Sequence, residues 1–223
     1  MSEILPSSVP ASPYYSAAEN LPPPLVSLSI TIDPPVYSAA CPELPTLGLH
    51  VTSHASRPIT ICTDGTVLNL GQAMRGRNFN ILDLTANQRV WTFRGHVRRA
   101  ALRRRFGVSA EKYYLTLYPE KVTTIAHPFV LAGTWNTRDP EKGLVMKPRS
   151  SCYKGEEFRN YLEPNHKYRF GISDDQGIGW WRYGTKEEVL EPADSPPPRS
   201  GQGWSEPQIT FTGVQDVEFY MKD

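Results

Sequence analysis

Apolar and polar side chains alternate with a period of two along several short stretches of this chain. Residues 26–32 read Val-Ser-Leu-Ser-Ile-Thr-Ile, and residues 47–52 read Leu-Gly-Leu-His-Val-Thr. This period places successive side chains on opposite faces of an extended strand, so that one face can be buried. The two stretches predict half-buried strands, the second pairing with the first.

Shorter runs of strand-forming residues continue the pattern through the chain. Asp64-Gly65 separates residues 58–63 from residues 66–70, and this dipeptide favours the tight turn of a β-hairpin. Further strands are predicted at residues 79–84, 90–93, 113–117, 122–125, 168–172 and 216–221. Thr185 and Glu188 have the spacing of a capping box, which predicts one short turn of helix.

One phrase occurs twice in the chain: a leucine, a proline two residues later, and then a strand-like run. The first copy contains Leu117 and Pro119, and the second contains Leu162 and Pro164. Proline has no N–H to donate and a fixed φ, so it suits the corner before a strand rather than its middle. Each copy predicts a corner between the edges of a β-sandwich.

The predicted elements indicate an all-β fold, an antiparallel immunoglobulin-like β-sandwich over residues 25–191. Residues 1–24 are rich in proline and serine and predict a disordered N-terminal arm. Residues 192–223 predict a linker rich in proline and glycine that ends in one more strand. No stretch approaches the roughly 20 apolar residues that a membrane span requires.

The order of these motifs resembles a known group of proteins. Residues 56–61 (Ser-Arg-Pro-Ile-Thr-Ile), residues 77–79 (Arg-Asn-Phe) and residues 83–85 (Asp-Leu-Thr), with the two Leu-x-Pro corners, resemble uncharacterised fungal proteins of about this size. More distantly, they are similar to immunoglobulin-like modules such as the pro-region of fungal deuterolysin peptidases. The resemblance covers residues 25–190 and implies a sandwich without an assigned activity. The zinc-binding His-Glu-x-x-His helix of deuterolysin has no counterpart in this sequence.

Positive charge is concentrated in one segment. The formal net charge is +1, yet residues 84–110 hold seven arginines and no acidic residue, so the remaining chain carries −6. Six of these arginines form a candidate site for a polyanion such as nucleic acid: Arg94, Arg98, Arg99, Arg103, Arg104 and Arg105. Guanidinium groups bind phosphate bidentately, and a basic run also serves as a nuclear localisation signal. The alternative is a solvated loop whose arginines pair with acids elsewhere in the chain.

An aromatic cluster at Trp180, Trp181 and Tyr183 is a second candidate site. An exposed ring there could stack on a sugar or anchor a partner protein. Consecutive residues of a strand point to opposite faces, so only one of the two indole rings is expected in the core. The alternative is that these aromatic rings are largely buried.

Metal binding and covalent catalysis have little support in the sequence. His50 and His54 would lie roughly 13 Å apart on a strand, too far for one zinc ion. Three cysteines at scattered positions form neither a disulfide framework nor a zinc site, and no nucleophile elbow or phosphate-binding loop is present. No metal and no cofactor are expected.

The sequence therefore favours a non-enzymatic binding module, located in the cytoplasm or the nucleus. Its expected partner is another protein, contacted through loops at one end of the sandwich or an exposed sheet edge. One alternative is an accessory protein or enzyme with a small-molecule pocket between the sheets. Another is carbohydrate binding through Trp180 or Trp181.

If residues 94–105 bind polyanions, the protein will be retained on heparin in a salt-dependent manner, because binding releases condensed counterions. Replacing the six arginines of the candidate site with glutamine should then abolish retention at about 50 mM NaCl. Retention of the variant at an unchanged salt concentration would exclude this segment as the polyanion site.

Overall fold

A computed structural model describes residues 22–38, 44–74, 78–90, 109–129, 162–190 and 207–222. Within these residues strands account for 50% and helices for 9%, so the predicted all-β class is confirmed. No helix in the described part of the chain has the length and apolar character needed to cross a membrane. Residues 1–21 of the predicted arm and residues 192–206 of the predicted linker lie outside the described residues.

The elements are short and lie close together in the chain. In chain order the strands are β1 (Val26–Asp33), β2 (Val36–Ser38), β3 (Thr46–Ser53), β4 (Ile59–Cys62), β5 (Phe79–Asp83), β6 (Gln88–Val90), β7 (Tyr114–Leu117), β8 (Thr123–Pro128), β9 (Lys167–Ile172), β10 (Gly177–Ile178), β11 (Trp181–Tyr183), β12 (Ile209–Thr212) and β13 (Val217–Lys222). The helices are α1 (Leu70–Ala73), α2 (Lys186–Val189) and one turn of 3₁₀ helix (Glu111–Tyr113). The predicted capping box of α2 is present, with both reciprocal hydrogen bonds.

The first sheet has the strand order β10-β12-β1-β3-β8 and is built on the two alternating stretches of the sequence. β1 and β3 pair antiparallel along their full length, from Val26 opposite Ser53 to Asp33 opposite Thr46, as predicted. Their alternate apolar side chains are buried, whereas the hydroxyl-bearing positions of β1 face outward. This sheet therefore has one apolar face and one polar face.

A second large sheet has the order β2-β13-β9-β5-β6. Its β5–β6 hairpin confirms the predicted turn near Asn87, which has a positive φ of 52°. The predicted final strand is also confirmed as β13, which lies between β2 and β9. The sequence did not predict β12, which adds to β1 from within the segment assigned to the linker.

The described strand pairs are mainly antiparallel, as predicted, with two exceptions. β12 runs parallel to β1, and β13 runs parallel to β2. In both pairs the partners come from opposite ends of the chain, and such distant segments are not bound to the antiparallel direction that a hairpin imposes. All other described strand pairs are antiparallel.

The prediction of a hairpin around Asp64-Gly65 is wrong. β4 forms as expected, but it pairs with β7 and β11 in a three-stranded sheet rather than with residues 66–70. Gly65 does adopt the positive φ of a turn, at 75°. The hydroxyl of Thr66 then donates to the Thr63 carbonyl oxygen (2.8 Å) and turns the chain towards α1. Consecutive Val67 and Leu68 are both buried, which an alternating strand does not allow.

The first Leu-x-Pro corner carries the chain from the three-stranded sheet into the first sheet. Pro119 and Glu120 occupy the middle of a turn closed by the Lys121 N–H, which donates to the Tyr118 carbonyl oxygen (3.2 Å). Glu120 has a positive φ of 53°. Proline followed by a residue of positive φ is the arrangement of a type II turn. Because β7 ends before this turn and β8 begins after it, the predicted turn before a strand is confirmed.

The second corner precedes β9 and contains a tyrosine corner. Asn165 follows Pro164 with a positive φ of 63°. The hydroxyl of buried Tyr168 accepts a hydrogen bond from the Glu163 N–H (2.6 Å) and lies within hydrogen-bonding distance of the Glu163 carbonyl oxygen (3.3 Å). Such a contact between a strand tyrosine and the preceding backbone is characteristic of immunoglobulin-like domains. It fixes the path of the chain into β9.

The core is centred on Phe129, which follows β8 and is completely buried. Its ring makes edge-on contacts with Phe170 and Phe219, at centroid distances of 5.1 and 5.2 Å, and a longer one with Tyr37 at 6.3 Å. Since β8 belongs to the first sheet and the three partner rings to the second large sheet, Phe129 joins the two. Aromatic pairs of this geometry add to the free energy of burial.

Removing the Tyr168 hydroxyl should destabilise the protein, because the Glu163 N–H would lose its partner. We expect Tyr168→Phe to lower the free energy of unfolding by about 1–3 kcal/mol in urea denaturation. Tyr220→Phe is a matched control, because its more exposed hydroxyl bonds to the side chain of Asn165 rather than to the backbone. Equal losses in the two variants would contradict a structural role for the tyrosine corner.

Candidate functional site

The outward face of the first sheet carries a row of three polar side chains in contact, which we call the Ser27 row. Ser27 Oγ lies 2.9 Å from His54 Nε2, and His54 Nδ1 lies 2.9 Å from Glu120 Oε2 and 3.1 Å from Oε1. The imidazole therefore has a hydroxyl at one nitrogen and a carboxylate at the other. The side chains of His54 and Glu120 are 34% and 67% exposed, so the row is open to solvent.

Three separate segments of backbone bring the Ser27 row together. Ser27 is an outward position of β1, where the strand period alternates it with buried neighbours. His54 directly follows β3, and its N–H donates to the Leu25 carbonyl oxygen (2.9 Å). Glu120 sits at the first corner, and its N–H donates to the Ser53 carbonyl oxygen (2.9 Å). The end of β3 thus anchors both neighbouring segments.

A second row, the Thr31 row, crosses the same sheet. His50 Nε2 lies 3.1 Å from Thr31 Oγ1, and His50 Nδ1 lies 3.0 Å from Thr124 Oγ1. Gly48 leaves the space for this row, because a Cβ there would come within 2.5 Å of Thr31 Oγ1. The Thr31 row links β1, β3 and β8. In the same way, the Ser27 row links β1, the residue after β3 and the first corner. The Thr31 row differs in having a second hydroxyl where the Ser27 row has a carboxylate.

The sequence identified both histidines but not their partners. From the sequence, His50 and His54 are candidates only as metal ligands, and their spacing along a strand argues against that role. No group of three or more metal-ligating side chains occurs among the described residues. The alternation of hydroxyl side chains with apolar ones places them on the outer face, but the strand register decides which of them meets an imidazole.

A third histidine lies in a more buried cluster between the second corner and the β5–β6 turn. His166 Nδ1 lies 2.7 Å from Asp83 Oδ2, and His166 Nε2 lies 3.3 Å from Glu163 Oε2. The Asp83 side chain is 1% exposed, and its Oδ1 accepts hydrogen bonds from the N–H groups of Thr85 and Ala86, both at 2.9 Å. The two carboxylates provide acceptors for both N–H groups of an imidazolium ring. The cluster ties the second corner to the neighbouring hairpin.

The environment of Asp83 favours its charged form. Burial alone raises the pKa of Asp83, but the hydrogen bond from His166, the N–H groups of Ala86 and Thr85 and the charge of the His166 ring outweigh it. The net result is a pKa below the usual value of 3.8. Hydrogen bonds made to a carboxylate stabilise it relative to the neutral acid. Asp83 therefore contributes to folding as an anion.

The three rings predicted as an exposed platform are packed. Trp180 and Trp181 point to opposite sides, as expected, but their exposed fractions are only 5% and 7%. Trp180 contacts Tyr114 edge-on at 5.2 Å and packs with Leu190, which follows α2. Trp181 belongs to the main core, and its Nε1–H donates to a backbone carbonyl oxygen (3.0 Å). Neither indole ring offers an open face for stacking.

Tyr183 is half-buried beside these rings. It contacts Trp181 edge-on at 5.4 Å, and the guanidinium carbon of Arg57 lies 4.3 Å from its ring centroid. A cation over an aromatic face is a favourable contact that occupies that face. The second candidate site of the sequence is thus part of the packing around β4 and β11.

The arginine site lies outside the described residues. Its six members fall between β6 and the 3₁₀ helix, in the range 91–108. The predicted site therefore stays a prediction from the sequence.

Large apolar side chains are exposed near the Ser27 row. Leu25, Tyr118 and Val122 are 53%, 46% and 58% exposed. Leu25 immediately precedes β1, and the other two flank the first corner. We call these three residues the corner patch. They lie in the segments that the end of β3 holds together.

No family model matches the sequence, and no curated protein matches it.

The Asp83 cluster leads to a prediction about pH. Because the folded pKa of Asp83 is lowered, its contribution to stability is present above pH 3.8 and is lost as the pH falls through the folded value. Asp83→Asn should therefore reduce the free energy of unfolding by about 1–3 kcal/mol at pH 6, and by less at the lowest pH at which the protein stays folded. Urea denaturation at several pH values measures this, and a difference that does not change with pH would contradict the assignment.

Proposed function

We propose that this protein is a binding module that contacts another protein through the corner patch. The supporting observation is that three of the five large apolar side chains exposed in the described structure belong to Leu25, Tyr118 and Val122. Exposed apolar side chains that gather in one part of a folded domain mark interaction sites more often than scattered single residues do. The patch lies at one end of the first sheet.

The backbone brings the members of the patch to the same end of the sheet. The Leu25 carbonyl oxygen accepts a hydrogen bond from His54, and the Ser53 carbonyl oxygen accepts one from Glu120. Ser53 and His54 are consecutive residues, so both segments that carry the patch are hydrogen-bonded to the same end of β3. The side chains of Glu120 and Lys121 add charge at the rim, and an apolar centre with a polar rim is the usual composition of a protein interface.

We propose further that the fold is an immunoglobulin-like sandwich. Support comes from the tyrosine corner at Tyr168, from the first corner between two sheets, and from the aromatic contacts of Phe129 between the two larger sheets. In such folds binding residues commonly lie on loops at one end of a rigid sandwich. The corner patch has that position.

Polyanion binding through residues 94–105 is the second candidate function. Its support is the segregation of charge along the sequence, with seven arginines and no acid between residues 84 and 110. The heparin experiment tests it independently of the corner patch.

Introducing a charge into the corner patch should abolish binding of the partner. We expect Val122→Glu to lose at least tenfold in recovery of partner protein when the tagged full chain is used to isolate complexes from a native lysate. Val36→Glu is the matched control, because Val36 is also an exposed valine (38%) but lies on β2, in the second large sheet. Both substitutions should change stability by less than about 0.5 kcal/mol, as is usual for surface positions.

Recovery of the same partner by wild type and Val122→Glu in equal amounts would exclude the corner patch as the contact. Loss of the partner with both variants would place the contact elsewhere on the fold. Dependence on Val122 alone supports the proposal.

A further inference from the structure

We propose that Ser27, His54 and Glu120 form a reactive-serine relay that transfers the acyl group of a carboxylic ester to Ser27 and then to water. This inference goes beyond the proposed binding function and shares only Leu25 with the corner patch. It also departs from the sequence, which favoured a module without enzymatic activity. The relay consists of residues from three separate segments, so no local sequence motif predicts it.

The atoms of the Ser27 row are connected in the order that nucleophilic catalysis requires. A serine hydroxyl must contact one imidazole nitrogen, and an acid must contact the other, at roughly 2.6–3.2 Å. Here the hydroxyl contact is with Nε2 at 2.9 Å and the carboxylate contact is with Nδ1 at 2.9 Å. The carboxylate holds the tautomer that has its proton on Nδ1, which leaves Nε2 free to accept the serine proton. Glu120 thus acts as the positioning residue.

A row of this kind can also serve only to tie strands together, and the Thr31 row is the example on this sheet. His50 contacts one hydroxyl at each nitrogen and no carboxylate. A hydroxyl does not stabilise a positively charged imidazole as a carboxylate does, so Thr31 is not activated. The acid at the first corner is therefore the feature that separates a reactive row from a structural one.

The surroundings of Ser27 admit a substrate. Leu25 lies two residues before Ser27 on the same outward side of the extended chain and is 53% exposed. On the other side, a Cβ built at Gly213 would have only the Ser27 Cβ within 4 Å among the described residues, at 3.9 Å. The open surface suits an ester that is presented on a larger molecule or is small and soluble. Leu25 offers an apolar contact for its acyl or alcohol part.

The proposed reaction balances without a cofactor. Ser27 Oγ attacks the ester carbonyl carbon while its proton passes to His54 Nε2, and the charged ring is held by Glu120. The C–O bond to the alcohol then breaks, and the leaving oxygen takes the proton from Nε2. Water then attacks the carbonyl carbon of the acyl-serine and gives one proton to Nε2. The bond between that carbon and Ser27 Oγ breaks, Oγ takes the proton back from Nε2, and the carboxylic acid is released. The sum is ester plus water giving acid plus alcohol.

The test uses the full chain with two probes, a fluorophosphonate that labels activated serines and p-nitrophenyl acetate. We expect a covalent adduct that peptide mass spectrometry places on Ser27, together with ester hydrolysis above the buffer rate. Ser27→Ala and His54→Gln should abolish both signals. Glu120→Gln should lower both at least tenfold, because an amide does not stabilise the charged ring.

The matched control is His50→Gln, which alters the Thr31 row on the same sheet and should leave labelling unchanged. Circular dichroism and the urea midpoint identify any variant that fails to fold. Glu120 is exposed, so Glu120→Gln is expected to fold and tests the relay even if another variant does not. Failure of wild type to label at Ser27, or equal labelling of wild type and Glu120→Gln, would overturn the relay. Val36→Glu, on β2 in the second large sheet, should also leave labelling unchanged. Because labelling requires no partner protein, loss of the relay and loss of the binding function are separate outcomes.

Discussion

The antiparallel pairing of β1 with β3 is the contact on which the rest of the structure depends. Eight consecutive residue pairs fix its register. Because the side-chain period of a strand is two, a slip by one residue would bring Ser27 and Thr31 into the core and expose the apolar positions between them. The burial of that apolar face holds the register. The polar outer face, with both histidine rows, is a consequence of it.

Strands that are distant in sequence complete this pair. β8 adds to one side of it and β12 to the other, and β8 delivers Phe129 into the aromatic contacts that join the two larger sheets. The first corner has two roles in this arrangement. It carries the chain from the three-stranded sheet to β8, and it places Glu120 beside His54. A structural turn and a candidate functional group therefore share one residue of positive φ.

Much of the local structure can be predicted from the sequence. The strands β1, β3, β5, β7, β8, β9 and β13, both proline corners and the capping box of α2 were predicted from side-chain period and turn chemistry, which act over a few residues. The prediction of a hairpin at Asp64-Gly65 was wrong because a turn signal does not determine whether the residues after the turn pair with the strand before it. β12 was missed because residues 209–212 lie close to a segment rich in proline and glycine. Only one of the two indole rings was expected in the core, and the sequence does not show that Leu190, beyond α2, covers the other, Trp180.

For an alternating strand such as β1, the sequence by itself determined which side chains face the core, because alternation is a property of neighbouring residues. It also determined where the chain turns, through proline and residues that tolerate positive φ. Tertiary structure alone decided which strands are neighbours, and hence that Ser27, His54 and Glu120 meet. These residues are 27 and 66 positions apart in succession, and no local rule connects them. Their contact arises from the packing of the whole domain, which selects one register and one set of partners together.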